Sequence, residues 1–274
     1  MRMRIKRIFS LLTIAVLLIV AGCSGKSSGG AQDTAGTQDK AETKNITVSA
    51  AASLQPVLDE LIAEFEKKHK DFHVTVNYGG SGALAQQISQ GAPVDLFLSA
   101  SADNVDQLKE KNLVSKDVLL LKNELVVVVP KEGAQSISDI KDLASKNVKK
   151  IALGTPETVP AGKYAEQTLK SLKLWDDLDD KIVYTKDVRQ ALNYVETGSV
   201  DAAFVYKTDA LSSKKVKTVI TVDPKLHDPI DYEMAVIKDK HEQWAEDFAS
   251  FLQDKHCQDV FKKYGYLIPS KEHS

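Results

Sequence analysis

Ile46-Thr47-Val48-Ser49, followed without a break by Ala50-Ala51-Ala52-Ser53 and then by Leu54–His69, decides the fold. The first four residues are an apolar, β-branched run of strand length. Leu54, Val57, Leu58, Leu61, Ile62 and Phe65 recur at the spacing that places them on one face of a helix. A strand therefore passes through a few small residues directly into an amphipathic helix. The same alternation runs outward along the chain. Val74–Tyr78, Val94–Ser99, Leu125–Val129, Ile151–Gly154, Ile182–Tyr184 and Ala202–Tyr206 read as strands with helical patterns between them. Val216–Val222 and Tyr232–Ile237 follow, with helices around His241–Lys255 and Gln258–Tyr264. This order predicts α/β architecture with largely parallel sheets. No Gly/Pro-rich linker cuts the body and no internal repeat is visible. Asn123–Pro130 is an unusually continuous run, suited to pass from one lobe into another, and Val216–Val222 is suited to carry the chain back.

The N-terminus reads as an export signal. Arg2, Arg4, Lys6 and Arg7 precede an apolar run from Ile8 to Val20 that ends in Ala21, Gly22 and Cys23. That run is shorter than the roughly 20 residues that cross a bilayer comfortably. Val20-Ala21-Gly22-Cys23 has the form of a bacterial lipobox, with Cys23 acylated as the mature N-terminus; an ordinary signal peptide that happens to contain a cysteine is the plainer reading. The expected organisation is a signal peptide over 1–22 and a flexible Ser/Gly/Thr/Gln tether over 23–44. One lobe then takes 45–125 plus 221–274, and the other takes 126–220. Removing 1–22 leaves 32 basic against 38 acidic residues, a net charge of −6. A mildly acidic chain offers no basic face for nucleic acid. With Cys23 lipidated, Cys257 has no partner for a disulfide and reads as a small core residue of the last helix.

The chemistry is expected where strands turn into helices, because in parallel α/β sheets these junctions share the carboxyl edge where ligands bind. Ser53 follows the first strand, Gly79-Gly80-Ser81-Gly82 the second, and Thr155–Ala161 the Ile151–Gly154 strand. Asp187 is placed to cap the helix holding Val188, and Tyr206 closes its own strand. Helix N-termini supply unpaired N–H groups and partial positive charge, so several aimed at one point bind an anion without Lys or Arg. Hydrogen bonds to a charged partner contribute about 1.5–3 kcal/mol each, and about five to seven of them reach sub-micromolar affinity. Each junction also has a plainer reading. Ser53 is most simply a helix cap, the glycines a tight turn, Pro160 a helix start, and Tyr206 a packed ring.

Ala50-Ala51-Ala52-Ser53-Leu54 and Gly91-Ala92-Pro93-Val94-Asp95-Leu96-Phe97-Leu98-Ser99-Ala100 are similar to segments of the molybdate-binding proteins of ABC transporters. Val159-Pro160-Ala161-Gly162, Glu166–Leu169, Asp187-Val188-Arg189, Phe204-Val205-Tyr206 and Phe261–Tyr266 continue the resemblance in the same order, over about residues 45–267. The resemblance implies a bilobal periplasmic-binding-protein fold of type II, two α/β lobes joined by crossing strands. It also implies oxyanion contacts at Ser53, Ser81, Ala161, Val188 and Tyr206. The serines and the tyrosine would act through hydroxyls as well as N–H groups, Ala161 and Val188 through N–H alone. Molybdenum would enter only as the bound molybdate, or tungsten as tungstate, with no resident cofactor and no catalysis. The implied partners are a membrane permease with its ATPase, and the membrane itself through the lipid, around a monomer on the extracytoplasmic face. Glycines flanking Ser81 depart from the more serine-rich version of that loop.

Gly79–Ala83 approaches the G-x-S-x-G elbow of a serine hydrolase, yet its last glycine is Ala83 and the six histidines lie mostly in polar or terminal contexts. A cation-binding lipoprotein would need His, Asp and Glu at the strand ends, which carry Ser, Gly, Ala and Val instead. Gly162-Lys163 has neither the spacing nor the Ser or Thr of a phosphate loop. An oxyanion other than molybdate, such as sulfate, is the nearer alternative. A fully deprotonated dianion needs donors only, so an all-donor site disfavours hydrogen phosphate.

Overall fold

A computed structural model describes residues 43–132 and 137–270. The first part of the chain forms β1 (Lys44–Ala51), α1 (Gln55–Lys68), β2 (Phe72–Gly79), α2 (Ser81–Ser89), β3 (Leu96–Ser99), α3 (Ala102–Glu110) and β4 (Val114–Lys122). The middle forms β5 (Leu125–Pro130), β6 (Ile151–Gly154), α4 (Pro160–Ser171), α5 (Trp175–Leu178), β7 (Ile182–Thr185), α6 (Val188–Glu196), β8 (Ala202–Tyr206), α7 (Lys207–Ser212) and β9 (Val216–Thr221). β10 (Asp231–Ile237), α8 (Glu242–Leu252) and α9 (Lys255–Lys263) close it. The signal segment 1–22, Cys23 and nearly all of the expected tether lie outside the described residues. Lys44, the last residue assigned to that tether, already pairs in β1.

The strands make two five-stranded sheets, ordered β2-β1-β3-β10-β4 and β7-β6-β8-β5-β9. Each heads one lobe of a bilobal α/β fold. The chain crosses between them at Asn123–Glu124 and again between Thr221 and Asp231. The expectation of largely parallel sheets holds for only half of each. β1 runs parallel to β2 and β3, and β6 to β7 and β8. β10 and β5 are antiparallel to both their neighbours. These are the two strands that arrive from the other lobe, and each enters its sheet against the local strand–helix–strand direction. Val126–Val129 are fully buried, which explains why this run is continuously apolar rather than alternating. β4 was not anticipated. Its first half, Ser115-Lys116-Asp117, is exposed at a sheet edge and carries no apolar alternation.

α1 buries the stripe that its spacing predicts, with Val57, Leu58, Leu61 and Phe65 sealed under the first sheet. Each such side chain contributes about 1.5–3 kcal/mol of transfer free energy. Cys257 is fully buried in α9, where the loss of hydration pushes its thiol pKa up and leaves it inert.

Candidate anion-binding site

Five strand ends converge where the lobes meet. β1 runs out into a single 3-10 turn, Ala52–Leu54, that presents Ser53. β2 ends at Gly79, and Gly80 precedes Ser81 as the first residue of α2. Pro160 opens α4 with its fixed φ and places Ala161 in the first turn. The carboxylate of Asp187 accepts from Gln190 N at 2.8 Å, capping α6 and placing Val188 at its first position. Tyr206 ends β8.

Ser53, Ser81, Ala161, Val188 and Tyr206 all line one small cavity, two from the first lobe and three from the second. None is more than 4% exposed. Among the described residues the lining holds no acidic, basic or histidine side chain. The electrostatics come instead from the N-termini of α2, α4 and α6, whose first-turn N–H groups have no intrahelical acceptor.

The three hydroxyls differ in their ties. Ser53 was expected to cap α1 if it did nothing else, and it makes no cap bond. Its Oγ lies 2.9 Å from Tyr232 Oη, and its carbonyl accepts from Tyr266 Oη at 2.9 Å. Ser81 Oγ accepts from Ala100 N at 3.0 Å, which leaves its proton to be donated elsewhere. Among the described residues, the buried Tyr206 Oη has no hydrogen-bond partner. Loss of hydration holds the Tyr206 phenol well above its ordinary pKa, so it stays a donor.

Asp209 sits behind Tyr206. Its Oδ2 accepts from Tyr206 N at 3.3 Å, while its other oxygen is buried without a partner, 4.0 Å from Arg189 Nη1. Burial raises its pKa to about 7, with Arg189 pulling the other way. Asn123, Tyr232 and Asp209 were all missed from sequence. A polar Asn heading a long apolar run is the one signal that pointed at any of them.

The lobes touch beside this cavity. Thr158 O accepts from Gly82 N at 3.0 Å and Ala83 N at 3.4 Å, and Tyr164 Oη donates to Ala100 O at 3.3 Å. Lys163 on α4 pairs with Asp103 on α3 at the rim.

The chain is similar to known solute-binding proteins. The YvgL protein of Bacillus subtilis, provisionally described as an ABC transporter substrate-binding lipoprotein, is 46% identical over 92% of this chain and 95% of its own. The molybdate-binding protein ModA of Escherichia coli is 36% identical over 83% of this chain and 91% of its own. The solved substrate-binding domain of a provisionally assigned molybdenum ABC transporter from Clostridium difficile superposes with a TM-score of 0.63. It is 41% identical, over 82% of this chain and 99% of that one. Residues 46–267, which hold both sheets and every residue of the cavity, match the family model described as bacterial extracellular solute-binding protein, and the chain belongs to that family.

Proposed function

We propose that this protein is the non-enzymatic solute-binding subunit of an ABC uptake system, which takes molybdate or tungstate into the cavity between its lobes and hands it to a permease and its ATPase. The carrying observation is a cavity built from both lobes and lined by hydroxyls and helix starts without a charged side chain, with the Tyr206 hydroxyl buried in it and, among the described residues, unpartnered. Ser53, Ser81 and Tyr206 donate hydroxyl protons, and Ala161 and Val188 donate N–H groups, to a tetrahedral dianion. The ModA relative supports the choice of anion. Ser81 has no histidine beside it in the cavity to act as a base, which argues against the hydrolase reading.

The lobes take 45–125 plus 221–274 and 126–220, except that Leu125 and Thr221 at the boundaries pair in the second sheet and belong to the second lobe. Cys23 carries lipid that holds a monomer at the outer face of the membrane, a reading supported by the lipobox and by the lipoprotein name of the Bacillus relative. The test is thermal unfolding of the purified protein with molybdate, tungstate, sulfate, phosphate or no addition. A ligand at a hundred times its dissociation constant stabilises by about 2.7 kcal/mol, a shift of a few degrees. Shifts with molybdate and tungstate alone are expected. A larger shift with sulfate assigns the site to the smaller anion, and no shift with any of the four rejects the oxyanion reading.

A further inference from the structure

We propose that Tyr232 is a positioning residue for this site: with Asn123 it forms a one-way chain of hydrogen-bond donors that turns the Ser53 hydroxyl proton into the cavity. The inference rests on the oxyanion reading above and adds residues that none of the cavity walls contains.

The direction of the chain follows from counting protons. Glu124 N lies 2.9 Å from one terminal atom of the Asn123 side chain. A backbone N–H only donates, so that atom is the amide oxygen and the other is the NH2 group. The two NH2 protons go to Thr208 Oγ1 at 2.9 Å and Tyr232 Oη at 3.3 Å. An NH2 group cannot accept, so Tyr232 Oη is the acceptor of that bond. Its own proton is directed to Ser53 Oγ, 2.9 Å away and its other hydrogen-bond partner among the described residues. Ser53 Oγ accepts it, and the serine proton faces the cavity that Ser53 lines. Tyr266 Oη fixes the serine backbone from behind through the Ser53 carbonyl.

Three consequences follow. Each link polarises the next, so Ser53 is a stronger donor than an isolated hydroxyl. The head of the chain cannot reverse, because an NH2 group donates and does not accept. With its proton turned into the cavity Ser53 meets an anion as a donor, and one of its two acceptor positions is already taken by Tyr232. Finally, the chain is dry. Asn123, Tyr232 and Ser53 are 8%, 1% and 4% exposed, so water does not substitute for a missing link. Asn123 stands at the first crossing between lobes and Tyr232 at the start of β10, just after the second. The orientation of Ser53 is thus set by the two segments on which the lobes are hung.

The test is a double-mutant cycle read by calorimetric titration of molybdate into the full-length protein, with Tyr232→Phe, Ser53→Ala and the double variant. Tyr232→Phe is expected to weaken binding about tenfold where Ser53 is present, and by less than about twofold where residue 53 is already alanine. A Tyr232 that served only to pack the core would cost the same in both backgrounds, and equal losses overturn the chain. Ligand-free unfolding temperatures check that each variant folds. If Tyr232→Phe does not, Asn123→Ala replaces it in the same cycle, with the same non-additivity expected and additivity again overturning the proposal. A wild-type protein that takes up none of molybdate, tungstate, sulfate and phosphate overturns the oxyanion reading itself, and the chain falls with it.

Discussion

Tyr206 and Ser81 line the same cavity, yet their hydroxyls stand in opposite positions with respect to stability. Tyr206 Oη is buried with nothing to bond, a state that costs free energy in the empty protein and is relieved only by a partner. Tyr206→Phe should therefore raise the unfolding temperature of the ligand-free protein while weakening molybdate binding. Ser81 Oγ accepts from Ala100 N, so Ser81→Ala orphans a buried N–H and should lower both. A pair of unfolding curves and a pair of titrations check the opposite signs. Asp209 behaves differently again, because its response depends on pH. Its neighbours are Arg189 on α6, the phenols of Tyr206, Tyr232 and Tyr266, and Asp187. Its pKa of about 7 in the fold lies above the ordinary carboxyl value, so the native state holds the proton more tightly than the unfolded chain. That contribution to stability is complete below about pH 4 and is lost as pH rises through about 7. Asp209→Asn should accordingly raise the unfolding temperature over wild type by several degrees at pH 8 and leave it nearly unchanged at about pH 3.5, below the unfolded pKa. An equal shift at both values would place the carboxylate in a well-solvated setting.

At the scale of elements, the helix starts are held at their positions by glycines. A side chain at Gly162 in the first turn of α4 would run into the Gly154 carbonyl of β6, within one lobe. Gly162→Ala should destabilise the protein with or without ligand, measured as a drop in unfolding temperature in both states. Gly80 and Gly82 meet the other lobe instead. A Cβ at Gly82 would lie 2.9 Å from Thr158 Cα, and one at Gly80 would lie 2.7 Å from Thr158 O. The sequence showed these junctions as runs of small residues between a strand and a helix, and that much was legible because it is local. What each junction does was not legible. Ser53 looked like a cap because it precedes a helix, whereas its hydroxyl turns to a tyrosine 179 positions away. Tyr232 carried no local signal and Asn123 only its place at the head of an apolar run, since their bond spans 109 positions. β4 hid behind an exposed polar half, and the antiparallel β5 and β10 read like any other apolar run. Pairing direction depends on where the chain re-enters a sheet, and no short window contains that.

For the whole molecule the question is what limits closure of the lobes. Two of the contacts that bridge them, besides the Tyr164–Ala100 hydrogen bond, differ in kind. The rim pair Lys163–Asp103 is substantially solvated, at 33% and 58% side-chain exposure, and exposed pairs are worth about 0–1 kcal/mol. The bonds from Gly82 N and Ala83 N to Thr158 O sit against the cavity and require main chain to approach main chain. An added methyl at Gly82 opposes that approach even though alanine improves on glycine in a helix by about 1 kcal/mol. On the proposed reading, a ligand held by donors from both lobes favours the closed arrangement by its differential affinity for it. Small-angle scattering should therefore show the wild-type radius of gyration falling on addition of molybdate, and Lys163→Ala should contract as far. Gly82→Ala should contract less and bind more weakly, despite an equal or higher unfolding temperature without ligand. The smaller anion should lose more than the larger in that variant, because lobes held apart leave donors out of reach of a small ion first. Full contraction in Gly82→Ala together with none in Lys163→Ala would move control of closure from the backbone contact to the rim charges.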